Sequence, residues 1–226
     1  MEVQRYNAPR FLSEESQKVG LLAGLGSEYA PKIDRIKKTK RILLIEGDFD
    51  ARILKQVAGV INVDWPDPWV EWVSASSHKE RKQLFIALGE EIQGLVALSI
   101  RDRDDEAIDS VGELLVDKNH TGFPEKFHCK KWRRRHIESY LLWPPALAAA
   151  SSCSEEEIVN KLKDDFSIAI GARFADKDPP DALLDIQGKK IFRSLGINSN
   201  DVVQHVTEEE IPKDLKTMVD EIVRLG

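Results

Sequence analysis

Short apolar runs alternate with amphipathic stretches through the first two thirds of the chain. Runs at residues 42–45, 69–73, 95–100 and 126–132 predict β-strands, because each is short and bounded by polar or turn residues. The stretches after residue 47, at 78–91 and from 106 to about 116 have the apolar spacing of helices. This alternating order predicts an α/β fold, a parallel sheet flanked by helices.

From Pro144 onward the strand signals fade, and helical patterns occupy residues 154–166, 188–195 and 212–225. We therefore expect three parts. Residues 1–39 are interpreted as a leader or the tail of an upstream domain. Residues 40–143 form the α/β core, and residues 144–226 form a helical C-terminal part that packs on the core.

The composition argues against some classes of protein. The formal net charge of −6 argues against a protein that coats DNA with a generally basic surface. A negative net charge is still compatible with local basic segments that contact DNA. The apolar runs are too short to cross a bilayer, and the polar start lacks a signal-peptide pattern. Cys129 and Cys153 lack metal-ligand spacing and are interpreted as reduced thiols, so we expect a cytoplasmic protein without membrane association.

Acidic residues follow two of the predicted strands. Glu46 ends the first strand, and Asp102 and Asp104 follow the third. Ligands of open parallel sheets bind beyond the carboxyl ends of the strands, so these acids meet there if the two strands are adjacent. Asp50 lies one helical turn beyond Glu46 and can point to the same place.

Converging carboxylates repel one another unless a cation lies between them, and hard oxygen ligands favour Mg²⁺ or Mn²⁺. Two such ions would activate a water and stabilise the leaving oxygen in phosphodiester hydrolysis. The alternative interpretation is that these acids only begin helices, where negative charge is favourable. Their occurrence after two separate strands favours the metal site.

Four motifs carry a resemblance to a known family. They are Glu46-Gly47 followed by Asp50, Asp102-x-Asp104, the Ile-Glu-Ser-Tyr-Leu-Leu segment at residues 137–142, and Gly188-Lys189. In this order they resemble the Toprim nuclease domain of the OLD (overcoming lysogenization defect) family of ATP-dependent endonucleases.

The resemblance implies a Toprim-like Rossmannoid sheet and a two-metal DNA endonuclease or nickase that uses Mg²⁺ or Mn²⁺. It also implies an ABC-type ATPase domain as partner in a longer protein, and a homodimer is left open. Serine at position 139 departs from the commoner asparagine, and the extra acids Asp48, Asp105 and Glu106 leave the ligand assignment open. By this resemblance the metal ligands are Glu46, Asp50, Asp102, Asp104 and Glu138, and the catalytic residues are Glu46, Asp102, Asp104 and Lys189.

The densest run of basic residues, at residues 130–135, has two interpretations. Its residues either contact DNA phosphates beside the metal site or form a charged, solvated sheet edge. The predicted DNA-binding residues are Lys130, Lys131, Arg133, Arg134 and Arg135.

Tyr140 lies in an apolar segment and is interpreted as a packing residue, which argues against a topoisomerase. Rival functions are a primase-like nucleotidyl transferase and a non-catalytic Toprim DNA-binding module.

Overall fold

The computed structural model describes residues 30–120, 122–171, 174–176 and 181–226, so residues 1–29 of the predicted leader lie outside the described residues. The described chain contains a sheet of four parallel strands in the order β2-β1-β3-β4. This confirms the α/β class, and it meets the condition that the first and third strands are adjacent. The strands are Arg41–Ile45 (β1), Val70–Val73 (β2), Val96–Arg101 (β3) and Phe127–Lys131 (β4).

Helices cover the sheet and form most of the C-terminal part. Ser77 and Ser154 each cap a helix together with a glutamate three residues later, as the serine-before-helix pattern favours. Among the described residues, no helix is both long and apolar enough to cross a membrane. The helices are Ala30–Thr39 (α1), Asp48–Val60 (α2), His78–Glu91 (α3), Pro144–Ala149 (α4), Glu155–Phe166 (α5), Asp181–Leu184 (α6), Gly188–Leu195 (α7), Ser199–Val203 (α8) and Lys213–Leu225 (α9).

The two faces of the sheet bury two separate apolar cores, because successive side chains of a strand point to opposite faces. Leu43 of β1 packs in the larger core together with α2 and the C-terminal helices, including Val219 of α9. Leu44, the next residue, packs in the smaller core with α3. The helical C-terminal part therefore covers one face of the sheet rather than forming a separate body.

Helix α1 belongs with the sheet. Ile36 is completely buried and joins the smaller core with Ile42 of β1 and Val70 of β2. The expected boundary between residues 39 and 40 would separate this helix from the strands it covers, so we count α1 with the core.

The predicted helix from residue 106 to about 116 is wrong. The chain makes only the short 3₁₀ turns Ile108–Ser110 and Glu113–Leu115 there, and Leu114 and Leu115 have positive φ angles. Its backbone instead forms antiparallel bridges, including one from Val116 to Lys130 of β4. Pairing along the edge of the sheet thus overrides the helical spacing. Further 3₁₀ turns are Lys118–His120, Ile137–Leu141 and Glu208–Glu210.

Candidate metal centre at the strand ends

Glu46 and Asp102 meet beyond the carboxyl ends of β1 and β3. The two strands are neighbours in parallel register, which brings the residues that follow them to the same edge. The Glu46 Oε1 atom accepts a hydrogen bond of 3.1 Å from the Asp102 amide. The predicted convergence of the first and third strand ends is therefore present for this pair of acids.

Asp50 lies in the first turn of α2 and closes the turn between β1 and this helix. Its Oδ2 atom accepts hydrogen bonds of 3.1 Å from the amides of both Glu46 and Gly47. Burial, followed by repulsion from Asp102, raises the pKa of Asp50 to about 6. The same causes raise the pKa of Glu46. These shifts show that negative charge accumulates where little water can screen it.

The third segment of the site is the turn Ile137–Leu141. The amide of Ile137 donates a 3.2 Å hydrogen bond to Asp102 Oδ1, which ties the turn to the end of β3. Helix α7 begins against the same turn, since a Cβ atom on Gly188 would come within 2.5 Å of the Ser139 nitrogen. Only glycine permits this approach, so Gly188 fixes how closely Lys189 lies to Glu138.

Lys189 supplies the positive charge of the site. Its Nζ atom lies 2.5 Å from Asp102 Oδ2, and about half of its side chain is exposed. Burial alone would lower the pKa of Lys189, but Asp102, Glu138 and Glu46 together raise it above its ordinary value. We refer to Glu46, Asp50, Asp102, Glu138 and Lys189 as the carboxylate site.

Glu138 contributes a buried carboxylate oxygen to the site. Its Oε2 atom is buried and has no hydrogen-bond partner among the described residues. Burial is the main cause that raises the pKa of Glu138 to about 7, with Lys189 acting in the opposite direction and Asp102 and Asp50 in the same direction. A buried carboxylate oxygen without a donor is costly unless a proton or a metal ion occupies that position.

Asp104 is less enclosed than the other acids. Its side chain is 52% exposed, and its backbone adopts a φ of 51° with the amide bonded to the Arg135 carbonyl at 3.1 Å. His136 Nε2 lies 3.5 Å from Asp104 Oδ1, and Asp102, Asp104 and His136 each present a ligand atom within 4.8 Å of the others. Asp104 therefore forms a second, more open part of the centre together with His136.

Sequence reasoning missed His136 and Arg81. The position of His136 directly before the Ile-Glu segment could have indicated a residue of the site. No feature of the sequence distinguishes Arg81 from other arginines in polar helices. Arg81 of α3 is buried, and its guanidinium donates to the Leu44 carbonyl at 3.1 Å and the Ile100 carbonyl at 2.7 Å. It thereby joins the ends of β1 and β3 directly beneath the carboxylate site.

Two of the three extra acids that left the ligand assignment open have other partners. Asp105 is 86% exposed and pairs with Arg135. Glu106 lies 2.7 Å from the Lys131 ammonium, which lowers the pKa of Glu106 although burial acts in the opposite direction. The geometry thus favours Asp102 and Asp104 over these two as ligands.

The interpretation of the basic run as a DNA-contact surface is wrong for Lys130, Lys131 and Arg134, which are buried. Lys130 pairs with Glu221 at 2.9 Å, and the Arg134 guanidinium donates to the Ser139 carbonyl at 3.1 Å. They cannot reach DNA because side chains from distant parts of the chain enclose them. The solvated-edge interpretation fails for the same reason.

The other two arginines of the run, Arg133 and Arg135, are partly exposed but already paired. Arg133 lies 3.5 Å from Asp214, and Arg135 pairs with Asp105. Tyr140, in the segment that follows, is buried and donates its hydroxyl to Asp214 at 2.8 Å, as expected for a packing residue.

A cavity of about 540 Å³ opens beside the carboxylate site. Glu46, Asp50, Glu138 and Lys189 line it together with apolar and basic side chains of α7, among them Arg193. The space admits a charged group against the acids from one side.

Comparison of the chain with protein-family models, with curated proteins and with solved structures finds no match.

Proposed function

We propose that this chain is a Mg²⁺- or Mn²⁺-dependent nuclease domain that hydrolyses phosphodiester bonds in DNA by a two-metal mechanism. The observation that carries the proposal is the convergence of carboxylates from three chain segments, with one lysine, at the switch point of a parallel sheet. The resemblance of these segments to Toprim motifs supports the same chemistry.

The side chains fit hard divalent cations. Glu46, Asp50, Asp102 and Glu138 would hold one ion, and Asp104 with Asp102 would contribute to the second. The Glu138 oxygen supports this assignment, because it is buried and has no hydrogen-bond donor among the described residues. When bound, the ions would supply an activated water and stabilise the leaving oxygen.

Lys189 has two roles in this proposal. Burial raises the pKa of Asp102, and the Lys189 ammonium opposes that shift and so helps to keep Asp102 ionised. The exposed part of Lys189 also places positive charge in the cavity, where a scissile phosphate would approach the acids. Positive charge held there would stabilise the negative charge that develops during phosphoryl transfer.

Phosphate contact is assigned to α7 rather than to residues 130–135. Lys189 and Arg193 both line the cavity and are exposed, so both present positive charge to a DNA backbone there. The N-terminal end of α7 directs its partial positive charge toward the same region.

Cleavage of supercoiled plasmid by the whole chain tests the proposal. We expect nicking or linearisation with Mg²⁺ or Mn²⁺ and none with EDTA or Ca²⁺. Glu46→Ala and Asp104→Ala, each confirmed as folded by circular dichroism, should lose this activity. Asp109→Asn is the matched control, because Asp109 is an exposed acid outside the site, and it should cleave like the wild type.

Three results would overturn the proposal. Cleavage that persists in both site variants would show that the activity does not depend on these carboxylates. Metal-independent DNA binding without cleavage, unchanged by Asp104→Ala, would favour the non-catalytic binding module. Incorporation of nucleotides without DNA cleavage would favour the nucleotidyl transferase instead.

The proposed setting follows from the same resemblance. We propose an ABC-type ATPase domain as partner in a longer protein, because the OLD-family motifs accompany such a domain. We also propose that the nuclease acts in the cytoplasm, since Cys129 and Cys153 are both free thiols.

A further inference from the structure

A second group of ligand-type side chains lies apart from the carboxylate site. His78 begins α3, and Asp117 and His120 lie in and beside the 3₁₀ turn before β4. We call these three residues the histidine cluster. Each offers a ligand atom within 4.8 Å of the other two, and His78 and Asp117 are completely buried.

One atom of the cluster is left without a partner. The Nε2 atom of His78 is buried and accepts or donates no hydrogen bond among the described residues. It lies 3.4 Å from Asp117 Oδ2. A buried nitrogen without a hydrogen-bond partner is costly, and a cation between it and the facing carboxylate would satisfy both groups.

The surroundings hold these side chains in the orientation that metal ligands need. The other ring nitrogen of His78, Nδ1, lies 2.8 Å from Ser99 Oγ. The Ser99 oxygen also accepts from the Arg81 guanidinium at 3.2 Å. In the tautomer in which Nδ1 donates to this oxygen as well, the lone pair lies on Nε2, directed at Asp117. Asp117 is fixed through its second oxygen, Oδ1, which accepts from the Asn119 amide at 3.0 Å and from Lys131 at 2.9 Å.

Two cations lie on the far side of the acids. The Lys131 ammonium lies 2.7 Å from Glu106 and 2.9 Å from Asp117 Oδ1, and Arg101 lies 3.5 Å from Glu106. The other oxygen of Asp117, Oδ2, is the one that faces His78 and His120.

The spacing of the ligand atoms fits a small tetrahedral ion. Zinc bonds of about 2.0–2.1 Å to nitrogen and oxygen place tetrahedral ligand atoms roughly 3.3 Å apart. The His78 Nε2 to Asp117 Oδ2 distance of 3.4 Å matches this value. The His120 Nδ1 to Asp117 Oδ2 distance is 2.8 Å, a hydrogen bond that would lengthen slightly when a metal replaces the shared proton.

We propose that the histidine cluster binds a Zn²⁺-like transition-metal ion through His78 Nε2, Asp117 Oδ2 and His120 Nδ1. Two imidazoles and one carboxylate select such an ion over Mg²⁺, which prefers oxygen ligands alone. The ion joins α3 to the turn that leads into β4, and it stabilises the fold. This site does not depend on the nuclease proposal, because it shares no ligand with the carboxylate site.

Metal titration of the whole chain tests the proposal. Protein treated with a chelator and then dialysed is titrated with Co²⁺, whose visible absorption reports tetrahedral coordination by nitrogen and oxygen. We expect one tightly bound Co²⁺, displaced by Zn²⁺ and not by Mg²⁺, and a melting temperature that rises with added Zn²⁺. Absence of a tetrahedral spectrum and of any Zn²⁺-dependent stabilisation would overturn the proposal.

Three variants assign the signal. His120→Ala should lose the Co²⁺ spectrum and the Zn²⁺-dependent rise in melting temperature, while His205→Ala, at an exposed histidine, should keep both. Asp104→Asn should also keep both, which separates this site from the carboxylate site. If His120→Ala is not folded, Ser99→Ala serves in its place, with metal affinity about 10–100-fold weaker. Unchanged affinity in the folded variant would show that the metal binds elsewhere.

Discussion

The carboxylate site and the basic run at residues 130–135 are both dense in charge, yet they balance that charge differently. The site gathers Glu46, Asp50, Asp102 and Glu138 around the single ammonium of Lys189. In the basic run nearly every cation lies against an acid or a carbonyl from elsewhere in the chain. Charge that is left uncompensated remains available to bind a ligand, whereas compensated charge stabilises the fold.

The pKa directions of the acids express the same contrast. Burial raises the pKa of Glu138 to about 7 in the carboxylate site. Burial would also raise the pKa of Glu221, but hydrogen bonds from Arg224 and Lys130 hold it at about 2. The ionised form is therefore unfavourable at Glu138 and favourable at Glu221, and substitutions in the two regions should have opposite effects on stability.

The largest effect is expected from Asp102→Asn. This substitution removes a proposed metal ligand, so the rate of plasmid cleavage should fall by about 10³-fold or more. The free energy of unfolding should stay equal or rise, because one source of repulsion among the acids disappears. Cleavage rates and urea denaturation, both measured with Asp109→Asn as control, check that activity falls while stability does not. A variant that cleaves normally, or that loses activity only because it unfolds, would contradict the proposed role.

The next largest effect is expected from Lys131→Met in the basic run. Lys131 is completely buried between Glu106 and Asp117, so its removal leaves Asp117 buried without its ammonium partner. The free energy of unfolding should fall by roughly 3–5 kcal/mol. Urea denaturation in EDTA measures this free energy, and Lys126→Met, at an exposed lysine, should change it little. A stable Lys131→Met protein with weakened DNA binding would instead restore the DNA-contact interpretation.

A smaller effect is expected where α7 touches the turn Ile137–Leu141. Gly188→Ala introduces a Cβ atom that would overlap the Ser139 backbone, which moves Lys189 away from Glu138. Stability should fall by about 1–3 kcal/mol, and cleavage should fall with it. Gly89→Ala is the matched control, since a Cβ atom there has no neighbour within 4 Å and an alanine should stabilise α3 by about 0.5–1 kcal/mol. Equal effects of the two substitutions would show that the close contact is unimportant.

The smallest effect is a pH-dependent difference between the wild type and Glu138→Gln. The folded-state pKa of Glu138 is raised from 4.5 to about 7, so the folded protein binds a proton more tightly than the unfolded chain. The wild type should therefore lose stability relative to Glu138→Gln as the pH rises from about 4.5 to about 7 in EDTA. Thermal melts across this range measure the difference, which added Mg²⁺ should reduce. A constant difference would mean that Glu138 is not held in its protonated form.

The sequence predicted the features that depend on local pattern and on general rules of sheet topology. The strands and the parallel sheet follow from apolar periodicity and from the order of the elements. The meeting of Glu46 with Asp102 follows only if β1 and β3 are adjacent, which the structure shows. The histidine cluster and the burial of Lys130 could not be found in this way. Their partners lie far away in the chain, as Lys130 and Glu221 illustrate, and no local pattern records such a contact.

The buried guanidinium of Arg81 has a consequence for the response to salt. It lies beneath the acids and is held by the carbonyls of β1 and β3, so mobile ions cannot screen its attraction for Glu46 and Asp50. Lys189 and Arg193, in contrast, are exposed to the solvent. Rising ionic strength would therefore loosen contact with a polyanion well before it disturbed the electrostatic balance of the buried acids themselves.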